Sequence, residues 1–263
     1  MSSNKESTAR TLIVALVVSL VASVFVAGSA IYLKPVQQEN RLLDRQRSIL
    51  AIAGVGASPS GTALSSAEVR ALFTRRIKAQ VIDLTTGEAD ASRDALTFDA
   101  LKAAQDPKTS IALPGNEDIA SIKRREQYAT VYRLEKDDGS GELEALILPV
   151  RGYGLWSTLY GFLAIKPDLN TVIGLGFYQQ GETPGLGGEV DNPKWKSLWP
   201  GKTLFDASGK PVVEVVKNAS GEHQIDALAG ATLTSKGVDH LLRFWLGEQG
   251  FGPYLAKLRQ EGA

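Results

Sequence analysis

Between Arg10 and Lys34 the chain runs for 23 residues without a charged side chain. As a helix rising 1.5 Å per residue, Thr11 to Leu33 would be about 35 Å long, enough to cross a hydrocarbon core of about 30 Å with some tilt. A helix satisfies its own backbone hydrogen bonds, so lipid imposes no unpaired amide on it. The competing reading is a cleaved signal peptide, since Lys5 and Arg10 make a short basic lead and Ala27, Gly28, Ser29 and Ala30 are small residues at which a peptidase would cut. The run is longer than a usual signal core and continues through Ile31, Tyr32 and Leu33, which favours a retained anchor. Basic residues stand on both flanks, with Lys34, Arg41, Arg45 and Arg47 after the run, so charge alone leaves the orientation open.

The remaining length is ample for a sizeable core, as one large or two small domains. Basic and acidic side chains balance at 29 each, which gives no hint of nucleic acid as a partner. There is no cysteine, which excludes thiolate-held iron–sulfur clusters, Cys-linked haem, disulfides and a lipid anchor on cysteine. His223 and His240 are the only histidines, so a His-rich metal centre is disfavoured and no metal ligand is assigned. If such a chain moves electrons, an organic cofactor must carry them.

Past the run, Val36, Leu43 and Leu50 recur at heptad spacing from Pro35 to about Ala53, predicting a helix that continues from the membrane surface as a stalk or docking helix. Residues 54–66 are rich in Gly, Ser, Ala and Pro and read as a linker. Ser65 and Glu68 make a capping-box pattern ahead of Val69, Leu72, Phe73 and Ile77. A strand is predicted over 80–84, and 89–116 reads as a polar insertion. Hairpins follow at 128–134 with 143–150, and at 159–165 with 171–177. Val238, Leu241, Leu242, Trp245 and Leu246 keep a helical period to a stop at 247–253. This order of elements indicates an α+β domain, and no G-x-G-x-x-G turn opens a helix as a Rossmann fold requires.

The decapeptide from Asp226 to Ser235 concentrates the chemistry. Gly230 and Ala231 leave bare backbone beside Thr232, where a bulky group can approach, and a helical pattern opens at Thr234 or Ser235. Unpaired amides at a helix N-terminus favour an anion, so a phosphate joined to Thr232 would lie where the backbone stabilises it. That argues for phosphate and is silent on what carries it. Taken alone, the same residues also fit an ordinary helix start after a glycine turn. Two Gly-rich segments, 152–157 and 181–188, let backbone approach a planar ligand or simply make turns.

Asp226, Gly230, Ala231, Thr232, Thr234 and Ser235 resemble the motif at which a flavin transferase joins FMN to threonine through a phosphoester; Ala229 stands where many members carry Ser or Thr. The segments 154–162, 182–187, 192–195, 226–235, 244–247 and 253–255 together resemble, in order, the NqrC family of sodium-translocating NADH:quinone reductase subunits. That resemblance implies an α+β FMN-binding domain with an N-terminal single transmembrane helix: a cytoplasmic N-terminus at 1–10, the span at 11–33, a juxtamembrane helix and linker at 34–66, and an extracytoplasmic FMN-binding domain at 67–263. It further implies FMN bound covalently through Thr232 as a phosphothreonine ester. Glu182, Thr183, Gly185, Leu186 and Gly187 would border the flavin and Trp156 would face its ring. No residue is assigned as a catalytic acid or base.

On this likeness the chain relays electrons within a bacterial inner-membrane complex that oxidises NADH with ubiquinone and exports sodium, its soluble domain on the periplasmic side. Its partners would be the other subunits, the membrane and, for maturation, the flavin transferase. The homologous flavin subunit of the ferredoxin-linked Rnf complex shares the motif, and a membrane-anchored FMN sensory or interaction module is the reading from another class. The span holds no charge to bind an ion, so sodium transport would lie mainly in other subunits.

Overall fold

The computed structural model describes residues 8–56 and 62–262. Lys5, most of the expected 1–10 segment and the middle of the expected 54–66 linker lie outside these residues. The chain divides into two compact units, Met1–Asp44 and Arg45–Ala263. The first consists of most of helix α1 (Thr8–Ile52), which continues without interruption through Pro35. This is the one helix among the described residues long and apolar enough to cross a membrane. The last residues of α1, from Arg45 on, belong to the second unit, where Ile49 and Leu50 are buried.

In the second unit, α2 (Ser66–Arg76) opens on the predicted capping box: the Glu68 amide donates to Ser65 Oγ at 3.3 Å and the Ser65 amide to Glu68 Oε2 at 2.8 Å. Strand β1 (Ile77–Asp83) follows, starting three residues before the predicted strand because the chain passes from α2 without a loop. The predicted insertion carries α3 (Ala100–Gln105) and β2 (Ser110–Ala112), and β2 pairs with β3 (Arg124–Glu126), so the segment is folded. Then β4 (Tyr128–Glu135), β5 (Leu143–Tyr153), β6 (Thr158–Ile165) and β7 (Val172–Gln179) form a meander. With β1 beside β4 they make an antiparallel sheet of order β1-β4-β5-β6-β7. Both expected hairpins are present, and the first Gly-rich segment is the turn between β5 and β6.

After β7 come a short 3-10 turn (Gly187–Asp191), α4 (Pro193–Lys196), the parallel pair β8 (Glu214–Val216) and β9 (Gln224–Asp226), α5 (Thr232–Leu246) and α6 (Gly252–Glu261). One core joins Leu146, Leu148 and Leu163 of the sheet to Val238, Leu241, Leu242 and Trp245 of α5. The helical period read from the sequence is therefore the buried face of α5. Tyr132 of the sheet makes edge contacts with Phe73 of α2 and with Phe162, at centroid distances of 6.3 and 5.9 Å. Trp195 and Trp199 are both buried and pack edge to face. The Trp245 indole donates to the Arg151 carbonyl at 2.7 Å, tying α5 across β5.

Candidate functional site

The site is built where α5 begins. Leaving β9, the chain turns through Leu228 to Ala231, closed by the Ala231 amide on the Leu228 carbonyl at 3.2 Å. Gly230 has φ +73°, a left-handed conformation that is costly for other residues. Helix α5 opens at Thr232, two or three residues earlier than the expected start at Thr234 or Ser235. The reason is Ser235: its amide closes the first helical bond on the Ala231 carbonyl at 3.0 Å, and its hydroxyl turns inward to donate to that carbonyl at 3.0 Å and accept the Leu228 amide at 2.9 Å. Ser235 is thus a staple inside the first turn, not a cap ahead of it.

Thr232 and Leu233 face outward while Thr234 and Ser235 are buried. No side chain caps the helix, so the amides of Thr232, Leu233 and Thr234 precede its first bond. The exposed Thr232 hydroxyl therefore stands at the positive end of a 15-residue helix. Asp226 works at a distance from this turn. Its Oδ1 accepts the Ala219 amide and its carbonyl the Trp195 indole, each at 2.8 Å, so it fastens the β8–β9 connection to α4.

Thr183, Pro184, Gly185 and Leu186 form a tight turn closed by the Leu186 amide on the Thr183 carbonyl at 3.1 Å, with Gly185 at φ +78°. Proline second and a left-handed glycine third is the signature of a type II turn. The Thr183 carbonyl also accepts the Gly188 amide at 2.9 Å. Leu186 lies against Gly230, where an added Cβ would sit 3.2 Å from Leu186 Cδ2.

Glu182 points into the protein, only 5% exposed. Its Oε1 accepts the amides of Leu155, Trp156 and Ser157 at 3.1, 3.0 and 3.1 Å, and its Oε2 accepts the Thr234 hydroxyl at 2.7 Å. One carboxylate thereby joins the β5–β6 turn, the 181–188 loop and the first turn of α5. Gly187 must be glycine for this to close, since a Cβ there would stand 2.4 Å from Thr234 Oγ1 and 2.7 Å from Glu182 Oε2. Three partners that sequence reading does not single out complete the arrangement: Gln180 Oε1 accepts the Glu182 amide, Ser157 Oγ accepts the Gly181 amide, both at 2.7 Å, and Gly237 lets α5 approach the Tyr153 carbonyl.

Burial works to raise the Glu182 pKa, but the hydrogen bonds from Thr234 and from the amides of Trp156, Ser157 and Leu155 outweigh it and hold the carboxyl below its ordinary range. A carboxylate with a depressed folded pKa contributes stability that is complete above its unfolded value, about 4.3, and is lost as pH falls through the lower folded value. Urea unfolding followed from pH 6 down to pH 2 should therefore show a steeper acid loss for the native chain than for Glu182→Gln. Equal acid limbs would contradict this account.

The three segments joined by Glu182 each present an apolar side chain to solvent: Trp156 at 67%, Leu186 at 45% and Leu233 at 55% exposure. A cleft of about 460 Å³ lies elsewhere, between β1 and α6, lined by Lys78, Arg133, Tyr254 and Lys257. Among the described residues no cluster of His, Cys, Asp or Glu is placed to hold a metal. An exposed hydroxyl, unpaired amides around it and adjacent apolar side chains fit a group that is anionic at one end and flat and aromatic at the other. FMN has that form.

Comparison with known proteins agrees with this chemistry. The FMN-binding domain family matches residues 154–247, from the β5–β6 turn to the end of α5. The chain is 65% identical over 263 residues to the C subunit of the Na(+)-translocating NADH-quinone reductase of Pseudomonas aeruginosa, covering 98% of each. It is 46% identical to the protein of the same name from Neisseria meningitidis serogroup B, covering 99% of this chain and 98% of the relative. Among solved structures, NqrC of Shewanella oneidensis superposes with a TM-score of 0.77 at 38% identity, over 84% of this chain and 99% of that one. The corresponding C subunit from Parabacteroides distasonis gives 0.65 at 30% identity, over 85% and 96%.

Proposed function

The chain belongs to the NqrC family of Na(+)-translocating NADH-quinone reductase subunits, and we propose that it serves such a complex as its FMN-carrying electron-transfer subunit, with the cofactor phosphate esterified to Thr232. The observation that carries the attachment is the exposed Thr232 hydroxyl on the first, uncapped turn of α5, within the segment matched by the FMN-binding family. When bound, a flavin supplies the redox chemistry, and the protein supplies position and electrostatics.

Thr232 Oγ1 would give up its proton and form a bond to the flavin-side phosphorus of an activated donor, a flavin dinucleotide, whose phosphoanhydride P–O bond breaks so that a nucleoside monophosphate leaves. The amides of Thr232, Leu233 and Thr234 would hold the phosphate charge, as helix N-termini do. Leu186, Leu233 and Trp156 would pack against the ring system, and Gly185 and Gly230 keep the backbone beside it free of side chains. Glycine and small residues at 230 and 231 would also give a maturation enzyme, a flavin transferase, access to the hydroxyl. A covalent link makes rebinding intramolecular, at effective concentrations up to the millimolar range.

The apolar part of α1 anchors the protein in the membrane, as membership of a membrane complex and its composition support. The rest of the domain assignment, a cytoplasmic 1–10 and a periplasmic flavin domain, is part of this proposal. Its other partners are the remaining subunits of the reductase.

Membranes containing the whole complex test the function. Sodium should stimulate NADH oxidation by quinone only when this chain is present, and protease added outside intact spheroplasts should release the flavin domain. Activity that needs ferredoxin and ignores NADH, or a domain digested only after lysis, would contradict the respective parts.

A further inference from the structure

We propose that Glu182 is a positioning residue for cofactor attachment: it sets the acceptor geometry at Thr232 by locking the β5–β6 turn to the first turn of α5, without itself touching the flavin. This rests on the reading that Thr232 is the acceptor.

The geometry supports it in three ways. Glu182 is buried, and its oxygens are taken up by the amides of Leu155, Trp156 and Ser157 and by the Thr234 hydroxyl, which leaves it no free acceptor facing out. Its partners lie on the two segments it links: Trp156 carries an exposed side chain on the β5–β6 turn, and Thr234 lies two residues from the acceptor on the same helical turn. The backbone is shaped around the carboxylate, since a Cβ at Gly154 would stand 2.7 Å from Glu182 Oε1 and one at Gly187 would stand 2.7 Å from Oε2.

A lone surface turn would let Trp156 and α5 move independently. Charge-assisted bonds to a single buried carboxylate are stronger than neutral ones and remove that freedom. Orientation of an acceptor hydroxyl against an incoming phosphorus is sensitive to small displacements, so the rate of attachment should report on the lock.

The substitutions separate the lock from general stability. Glu182→Gln keeps an oxygen for the three amides, and its NH2 can donate to Thr234 Oγ1, so the link survives with one bond reversed. Glu182→Ala removes the link. Thr234→Val removes only the bond to α5, whereas Thr234→Ser retains it.

The experiment uses the full-length chain co-produced with a flavin transferase and purified in detergent. Covalent FMN on the Thr232 peptide is followed over time by mass spectrometry, the flavin environment by visible circular dichroism, and stability by thermal unfolding. We expect Glu182→Gln and Thr234→Ser to be modified at rates within about threefold of wild type, and Glu182→Ala and Thr234→Val to be slowed at least about tenfold, with an altered visible spectrum on whatever flavin they carry. Should Glu182→Ala fail to fold, Thr234→Val decides.

Wild-type rates and spectra in Thr234→Val and in any folded Glu182→Ala would overturn the proposal. So would rates that simply track unfolding temperature across all four variants, because that is what a purely structural contact produces. An unmodified wild-type chain overturns instead the reading of Thr232 as acceptor, and this proposal with it.

Discussion

Replacing Thr232 with valine should take the protein from about one covalent FMN per chain to none while leaving its unfolding transition where it was. Valine matches threonine in shape and lacks only the hydroxyl, which is the sole atom able to form the ester. Thr232 is exposed at the first helical position, and its side chain caps nothing. Surface substitutions of this kind usually move stability by no more than about 0.5 kcal/mol. In membranes of the whole complex, sodium-stimulated NADH:quinone activity should fall to background, since no other residue in the motif can rescue a missing ester oxygen at that place. Thr232→Ser should keep both flavin and activity. A Val variant that retains covalent flavin would move the attachment elsewhere in the chain, Thr234 being excluded by its burial and by its bond to Glu182.

The second large effect is on folding. Leu242 is wholly buried in the core between α5 and the sheet, and Leu242→Asp should abolish the domain rather than its chemistry. Truncating a buried leucine costs about 2–5 kcal/mol. A carboxyl left there without a partner costs about 2–7 kcal/mol more. Together these approach or exceed the whole stability of a typical domain, about 5–15 kcal/mol. The full-length variant should therefore be recovered in low yield, be cleaved rapidly by protease in detergent and show no cooperative unfolding. Leu242→Ala, which leaves a cavity without the charge, should lower the transition and retain it. A folded Asp variant with native protease resistance would mean that α5 is not seated as described.

Much of this arrangement is legible in the residues because it is local. The uncharged run, the Ser65 and Glu68 box, the two hairpins and the apolar face of α5 each depend on neighbours within a turn or a strand pair. The family resemblance adds the cofactor, which no periodicity contains. What is not legible is long-range or depends on context. Glu182 and Thr234 are 52 residues apart, and nothing in either segment says that a glutamate in a Gly-rich loop turns inward to become the acceptor for a distant turn. The resemblance implies that Glu182 borders the flavin; the inward turn of its side chain, onto the amides of 155–157 and the Thr234 hydroxyl, is what neither segment announces.

Helix α6 is hidden for a different reason. Gly252 and Pro253 read as a terminator of α5, yet proline is equally at home in the first turn of a new helix, where its missing amide is not needed. The start of α5 falls two or three residues ahead of its expected place because serine and threonine favour caps in general, whereas here Thr234 gives its hydroxyl to Glu182 and Ser235 uses its own inside the turn. The short parallel pair β8 and β9, of three residues each, is too brief to leave a pattern.

Attachment at Thr232 is read directly by peptide mass spectrometry on the native protein isolated from membranes of cells that also make the flavin transferase. The peptide containing Thr232 should carry the mass of FMN less water, with fragment ions that localise it to that threonine. A peptide of unmodified mass, or one whose added mass falls on another residue, would contradict it.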